Sequence, residues 1–193
     1  MKKKVLFVLI CLLALKSVGF TLDLETGVTF MLNKPIDTTF GGTFMLERSS
    51  DTIFGGGLNL GVSGNYNKII GYGVYMNIIY AYYTDDRFGG VSFFINDTLI
   101  GILLKVVEND NFSLPISIGP YFYYTIGWGK IHLHDNIEMP YWMGFDIGVG
   151  GNITAKIKIS ETLKLYARLQ VAYTILCGRE IWITPCIGVG FKY

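Results

Sequence analysis

Long apolar runs are scarce in this chain, although 51% of its 193 residues are apolar and 15% are aromatic. After residue 19 no segment reaches the roughly 20 consecutive apolar residues that a transmembrane helix needs. The 24 glycines are spread along the chain and do not collect in a linker. Apolar residues that are abundant but never contiguous must alternate with other residue types. Such dispersal is typical of strands that present one apolar and one polar face.

The chain also has few cysteines and little net charge. Its 16 lysines and arginines nearly balance 15 aspartates and glutamates, and no basic aromatic patch is present, so we expect no nucleic-acid partner. Of the three cysteines, Cys177 and Cys186 lie in the second half of the chain. In a hairpin that turns near residues 178–180 they would be too far apart to bridge, so we expect free thiols.

The N-terminal segment has the pattern of a secretory signal peptide. Three lysines at positions 2–4 precede an apolar core, Val5–Leu15, and the small residues Ser17 and Gly19 follow. We therefore expect cleavage after Gly19, which leaves residues 20–193 as one exported domain. Removing the four leader lysines leaves 12 basic against 15 acidic residues.

Alternation with a period of two divides the rest of the chain into eight predicted strands. Short links at 65–68, 109–111, 160–162 and 176–180 separate them, together with longer links at 33–51, 84–92 and 130–140. The fourth strand is apolar on both faces, which indicates either a bulge near residues 96–98 or an apolar interior at that point. The predicted strands are Leu22–Leu32, Thr52–Gly64, Ile69–Tyr83, Phe93–Glu108, Phe112–Gly129, Tyr141–Ile159, Leu163–Ile175 and Ile181–Tyr193.

The last predicted strand carries a resemblance to a known family. Its apolar face ends on Phe191 and Tyr193, while the opposite face is small or polar. It resembles the closing strand of bacterial outer-membrane β-barrels, which the barrel-assembly machinery reads through a terminal aromatic residue. An even count of eight strands with short turns at one end and longer loops at the other agrees with that family.

The resemblance to small barrels of the OmpX and OmpW type covers residues 20–193. It implies an all-β fold, an eight-stranded antiparallel transmembrane up-and-down β-barrel behind an N-terminal signal peptide, surrounded by outer-membrane lipid. Both ends of the barrel domain would then lie in the periplasm. A soluble lipocalin-like calyx, with the apolar residues inside, is the distant alternative.

The lumen-facing positions of this barrel are the candidate site. Eight strands enclose a space that their own side chains can fill, so we expect a network of salt bridges that plugs the lumen, with a narrow anion-attracting path as the alternative. Leu99 and Leu103 are candidates for an apolar lining. The predicted charged positions are Asp23, Glu25, Asp146, Lys156, Lys158, Lys164, Arg168 and Lys192.

Candidate chemistry outside the lumen is weak. His132 and His134 could share a metal ion on an extended segment, but a fixed third ligand is missing, so we expect no metal site and no cofactor. No nucleophile can be paired with a base, which argues against an enzyme. The OmpW resemblance implies a narrow conduit for a small hydrophobic solute. The OmpX resemblance implies the alternative, a structural barrel with a plugged lumen whose outer loops contact the host or environment.

The terminal aromatic residue leads to a first prediction. Tyr193→Asp should block outer-membrane assembly while leaving export intact, because the assembly signal loses its last aromatic side chain. Folded barrel in isolated outer membranes, measured by its heat-dependent gel migration, should fall strongly. Tyr193→Phe is the matched control and should assemble normally; normal assembly of the aspartate variant would contradict the interpretation.

Overall fold

The computed structural model describes residues 22–37, 53–85, 88–131, 142–176 and 179–192. These residues form eight strands: β1 (Leu22–Asp37), β2 (Ile53–Asn65), β3 (Ile70–Asp85), β4 (Phe88–Glu108), β5 (Phe112–Ile131), β6 (Trp142–Lys158), β7 (Leu163–Thr174) and β8 (Arg179–Lys192). Each strand pairs antiparallel with its neighbour in sequence, and β1 pairs with β8. The predicted eight-stranded antiparallel barrel is therefore confirmed. The described residues contain no helix of the length and apolarity needed to cross a bilayer.

The two ends of the barrel differ in the links that join the strands. We call the turn end the end that holds the links 66–69, 109–111 and 159–162 together with Leu22 and Lys192. The loop end is the opposite end, where the segments 38–52, 86–87, 132–141 and 175–178 connect the strands. In outer-membrane barrels the short turns face the periplasm, so we expect the loop end to face outward.

One expectation about the fourth strand is wrong, and of the two alternatives for its apolar faces the structure has the apolar interior. We expected a longer link at residues 84–92, but β3 continues to Asp85 and β4 begins at Phe88. Cross-strand pairing extends this hairpin with a single irregularity between Tyr83 and Asp85. We also considered a bulge near residues 96–98, but pairing is continuous there, with Asn77 opposite Asp97. Apart from Asp97, the inward residues of β4 from Phe93 to Leu103 are apolar or glycine because the lumen beside them is mainly apolar.

The outer surface of the barrel is apolar, as the alternating pattern of the sequence predicted. Outward side chains such as Phe54 (65% exposed), Ile118 (65%) and Met143 (63%) alternate with neighbours along the strand that are more enclosed. Water on that surface would make this arrangement costly, whereas hydrocarbon makes it favourable. The same belt of outward apolar residues surrounds the barrel on all eight strands.

Pro185 interrupts the seam that closes the barrel. The β1–β8 pairing runs to Thr29 opposite Cys186 and resumes at Leu32 opposite Ile183. Proline has no N–H to donate to the neighbouring strand. The Thr29 hydroxyl lies 3.3 Å from the carbonyl oxygens of both Phe30 and Pro185. It therefore supplies a donor where the ladder lacks one.

Substituting alanine for two adjacent glycines should have different effects on barrel stability, because only one of them lies against a neighbouring strand. A Cβ at Gly57 would overlap the backbone carbonyl of Ile78, whereas at Gly56 the nearest atom would lie 3.8 Å away. Gly57→Ala should lower the free energy of unfolding by about 1–3 kcal/mol through overpacking. Urea titration of the refolded barrel in vesicles measures this value, and Gly56→Ala is the matched control. Equal losses in the two variants would contradict the close approach.

Candidate functional site

The carboxylate of Glu25 lies at the centre of a charged cluster inside the turn-end half of the barrel. Its Oε2 accepts a hydrogen bond from Arg168 Nη2, and Lys156 Nζ lies 2.5 Å from its Oε1. Arg168 also donates from Nε to the Thr154 hydroxyl at 3.0 Å and from Nη1 to Asn59 Oδ1 at 3.1 Å. These contacts use all three guanidinium nitrogens and join residues of β1, β2, β6 and β7 across the lumen.

Aromatic rings complete the surroundings of Arg168. Its guanidinium carbon lies 3.9 Å from the centre of the Tyr75 ring and 5.1 Å from that of Tyr166. Both distances are within the range of cation–π attraction. The Tyr166 hydroxyl donates to Asn59 Oδ1 at 2.8 Å. A buried cation is costly unless it is paired and hydrogen-bonded, and here it is both.

Asp23 extends the cluster toward the turn end. Lys164 Nζ lies 2.8 Å and Lys156 Nζ 3.2 Å from its Oδ2. Lys156 thus bridges Asp23 and Glu25, two residues apart on the inner face of β1. The pairs join β1, β6 and β7 inside the lumen.

A chain of amides connects this cluster to a second buried carboxylate. Asn59 Nδ2 donates to Asn77 Oδ1 at 2.6 Å, and Asn77 Nδ2 donates to Asp97 Oδ1 at 2.7 Å. Gln170 Nε2 also donates to Asp97 Oδ1, at 3.1 Å. Both asparagines in the chain from Arg168 point their carbonyl toward the guanidinium and their NH₂ toward Asp97. The aligned dipoles link cation and anion without direct contact.

The loop-end half of the interior is mainly apolar, although Thr125, Asp146 and Thr184 are also buried there. The rings of Tyr123 and Trp182 stack with centres 4.4 Å apart at 39°. Leu99 is fully buried and would lie 3.3 Å from a Cβ at Gly150, so the space beside that glycine is occupied. The apolar inner cluster comprises Met31, Tyr75, Ile79, Ala81, Phe93, Ile95, Leu99, Tyr121, Tyr123, Ala172 and Trp182.

Inward glycines do not open a path through the turn-end half either. The Tyr75 ring packs over Gly73, and a Cβ at Gly61 would lie 3.0 Å from Glu25 Oε2 and 3.2 Å from Tyr75 Cδ1. Large side chains on neighbouring positions therefore use the space that the glycines leave. At Gly61 and Gly73 the absence of a side chain therefore does not leave open space.

The structure brings together five of the eight charged residues that the sequence indicated: Asp23, Glu25, Lys156, Lys164 and Arg168. Asp146 is buried but lies toward the loop end, where its Oδ1 accepts from the backbone N–H groups of Ile147 and Leu176. It holds the β6–β7 pair and is not part of the cluster.

Lys158 and Lys192 also lie outside the charged cluster. Both are exposed at the rim of the turn end, and neither forms an ion pair with another residue in the described ranges. Each sits too close to the end of its strand for its side chain to be enclosed, which the alternating pattern does not reveal.

The remaining candidate residues fall on the two apolar surfaces. Leu99 and Leu103 are buried inside the barrel, and Leu103 lies nearer the turn end, opposite Ser117. Phe191 faces outward, 47% exposed, between Leu24 and Leu163. Tyr193 and the pair His132 and His134 lie outside the described residues, as does the predicted signal peptide. Within the described ranges no group of three His, Cys, Asp or Glu side chains could hold a metal ion.

Sequence analysis missed the residues that join the two halves. Asp97 was considered only within one of two alternatives, a bulge near residues 96–98, although it precedes Leu99 by two positions and therefore shares its inward face. Asn59, Asn77 and Gln170 gave no signal of their own. Their alternation with apolar neighbours marks them as inward, but their mutual contacts depend on which strands lie opposite across the lumen.

Comparison with solved structures identifies the class of fold. The chain is similar to Ail, the attachment invasion locus protein of Yersinia pestis, with 10% identity, a TM-score of 0.58 and coverage of 90% of this chain and 98% of Ail. Neisserial surface protein A matches with 9% identity, a TM-score of 0.64 and coverage of 91% and 97%. A major outer membrane protein of Thermus thermophilus matches with 13% identity, a TM-score of 0.55 and coverage of 90% and 99%.

By fold, the chain is a small eight-stranded outer-membrane β-barrel, as the sequence predicted. Its outward apolar belt agrees with location in the bacterial outer membrane. No family model and no curated protein matches the sequence.

The contacts of the Glu25 carboxylate with both Arg168 and Lys156 lead to a prediction about stability. Arg168→Met should lower the free energy of unfolding by about 3 kcal/mol, because Glu25 stays buried with Lys156 as its remaining cation. Adding Glu25→Gln should restore part of that loss. Urea unfolding of the two single variants and the double variant gives the coupling energy, which we expect to exceed about 1 kcal/mol. Additive losses would show that the pair does not act as a unit.

Proposed function

We propose that this protein is a non-conducting outer-membrane barrel that presents its loop-end segments to the surroundings of the cell. The observation that carries the proposal is the filled interior. The charged cluster and the amide chain occupy the turn-end half, and the apolar inner cluster, apart from the Tyr75 ring over Arg168, occupies the loop-end half. A solute would have to break buried ion pairs to pass, and separating such pairs is costly.

The names of the similar structures also favour a role at the cell surface. Ail is named for attachment and invasion, and the Neisserial protein is named as a surface protein. Another structure of Ail contains the heparin analogue sucrose octasulfate. In the present chain the segments 38–52 and 132–141 carry Glu47, Asp51, Asp135 and Glu138 against Arg48 alone. An anionic polysaccharide is therefore not the partner that these two segments favour.

The second candidate is a conduit for small hydrophobic solutes. The apolar inner cluster favours it, because a solute entering from the loop end would meet Phe93, Ile95 and Trp182. The resemblance to OmpW-type barrels points the same way. In this case the solute would leave sideways, since the charged cluster lies beneath it.

Solute uptake by liposomes distinguishes the two candidates. Vesicles carrying refolded protein should take up neither a small aliphatic probe nor a small sugar faster than empty vesicles, because the lumen is filled. The folded fraction is checked in the same vesicles by protease protection of the barrel. Accelerated uptake of the aliphatic probe alone would replace the first candidate with the second.

Surface presentation is tested with an inserted epitope. A tag placed after Phe44 should bind antibody on intact cells, because we expect segment 38–52 on the outer side. The same tag placed after Ser160, in the turn 159–162, should bind only after the outer membrane is permeabilised. The reverse pattern, or no labelling of the first variant on cells with normal barrel levels, would contradict the proposal.

A further inference from the structure

The lipid-facing surface of β4 carries polar side chains within the apolar belt. They share the outward face of Ile100, which is 45% exposed, and they are Ser92, Asn96 and Thr98. On the rest of the described strands the outward positions away from the strand ends are apolar, aromatic, glycine or proline, with Thr26 on β1 as the exception. Asn96 is therefore the amide that this part of the belt turns toward lipid.

The hydrogen-bond partners of Asn96 within its own barrel are weak. Its Nδ2 donates to the sulfur of Met76 at 3.6 Å, and a thioether is a weak acceptor. Its Oδ1 accepts from the Thr98 hydroxyl at 3.4 Å, which is long for an O–H···O hydrogen bond. The Ser92 hydroxyl, in contrast, lies 3.0 Å from the Tyr80 hydroxyl. The Asn96 amide thus keeps hydrogen-bonding capacity for a group outside the barrel.

The surroundings of Asn96 on the outer surface are apolar or aromatic. Ile78 on β3 and Tyr124 on β5 lie directly opposite it, and the Tyr124 hydroxyl is directed to the sulfur of Met143. Phe94 precedes Asn96 on the outward face and is 46% exposed. Lipid chains can neither donate nor accept a hydrogen bond, so an amide that faces them costs free energy. Polar side chains in such positions are typically functional.

An occupant of this face must offer a donor and an acceptor at the depth of Asn96. A second copy of this chain, inserted in the same direction, is related to the first by a two-fold axis along the membrane normal. Rotation about that axis leaves depth unchanged, so the same amide of the two copies meets at one height. Because an amide both donates and accepts, each copy can donate to the carbonyl oxygen of the other.

We propose that the outward face of β4 is the interface of a homodimer in the membrane. The reciprocal pair of Asn96 amides forms its polar centre, and Ile78, Phe94 and Ile100 supply apolar contacts around it. Hydrogen bonds between side chains within a membrane favour association of the segments that carry them. Apolar contact alone would not select this face, because the other strands carry an apolar belt as well.

Energy transfer between labelled copies in vesicles measures the association. Donor or acceptor dye is attached at Ser160→Cys, in the turn 159–162, with Cys177→Ser to remove the second reactive thiol. Transfer should rise with the protein-to-lipid ratio. Asn96→Leu should weaken the association by about tenfold, while Asn96→Gln, which keeps the amide, should associate nearly as the wild type does. Thr26→Val, which removes the outward hydroxyl on β1, is the matched control and should change nothing.

Cross-linking locates the interface. In the Cys177→Ser background, Asn96→Cys should give a disulfide-linked dimer on mild oxidation in the membrane, whereas Ile187→Cys, outward on β8 across the barrel, should not. Cys186 is buried and does not compete. Asn96→Leu removes a polar group from the lipid-facing surface, so it should fold at least as well as the wild type, which heat-dependent gel migration verifies.

Three results would overturn the proposal, and none of them depends on whether the lumen conducts. The first is association that Asn96→Leu leaves unchanged. The second is cross-linking at position 187 as efficient as at position 96. The third is a barrel that stays monomeric at every protein-to-lipid ratio, in vesicles with or without lipopolysaccharide, which would leave lipid as the occupant of this face.

Discussion

The pairing of β1 with β8 is the contact on which the other features of the barrel depend. Within hydrocarbon an unpaired strand edge leaves N–H and C=O groups without partners, each at a cost of several kcal/mol. Closure removes both edges at once. It also brings Asp23 and Glu25, at the start of the barrel sequence, beside Lys164 and Arg168 near its end. The charged cluster therefore exists only in the closed barrel, and its ion pairs stabilise the closure that creates them.

The same closure explains why the interior has two parts. Eight strands leave a space that side chains can fill, and inward residues fill it according to what each can pair with. Near the turn end, charges face one another across the lumen and satisfy each other. Toward the loop end, Ile79, Ile95 and Leu99 pack through apolar contacts, which need no hydrogen-bond partners. The amides of Asn59 and Asn77 form the boundary, since they hydrogen-bond to charge on both sides.

Because the interior is filled and the exterior is apolar, the two ends of the barrel are the surfaces that meet water. The loop end is where the longest segments join the strands, and connecting segments in general tolerate sequence variation better than the strands they join. The turn end carries the exposed lysines Lys158 and Lys192 at the lumen-facing ends of β6 and β8. Surface presentation at the loop end and lipid contact along the apolar belt therefore use different surfaces of one barrel.

Alternation along the chain was enough to establish the strand number, the order of the strands and the face of most residues. It is a local property that the pleat translates directly into inside and outside. It also indicated Glu25, Lys156 and Arg168 as inward. Which inward residues meet was decided by the folded barrel alone, because stagger between strands sets the height of each side chain. Because of this stagger, Asp146 lies toward the loop end, and Lys158 and Lys192 lie at the rim of the turn end. The stagger also places Asn59 and Asn77 between Arg168 and Asp97, so that hydrogen bonds connect the two charges.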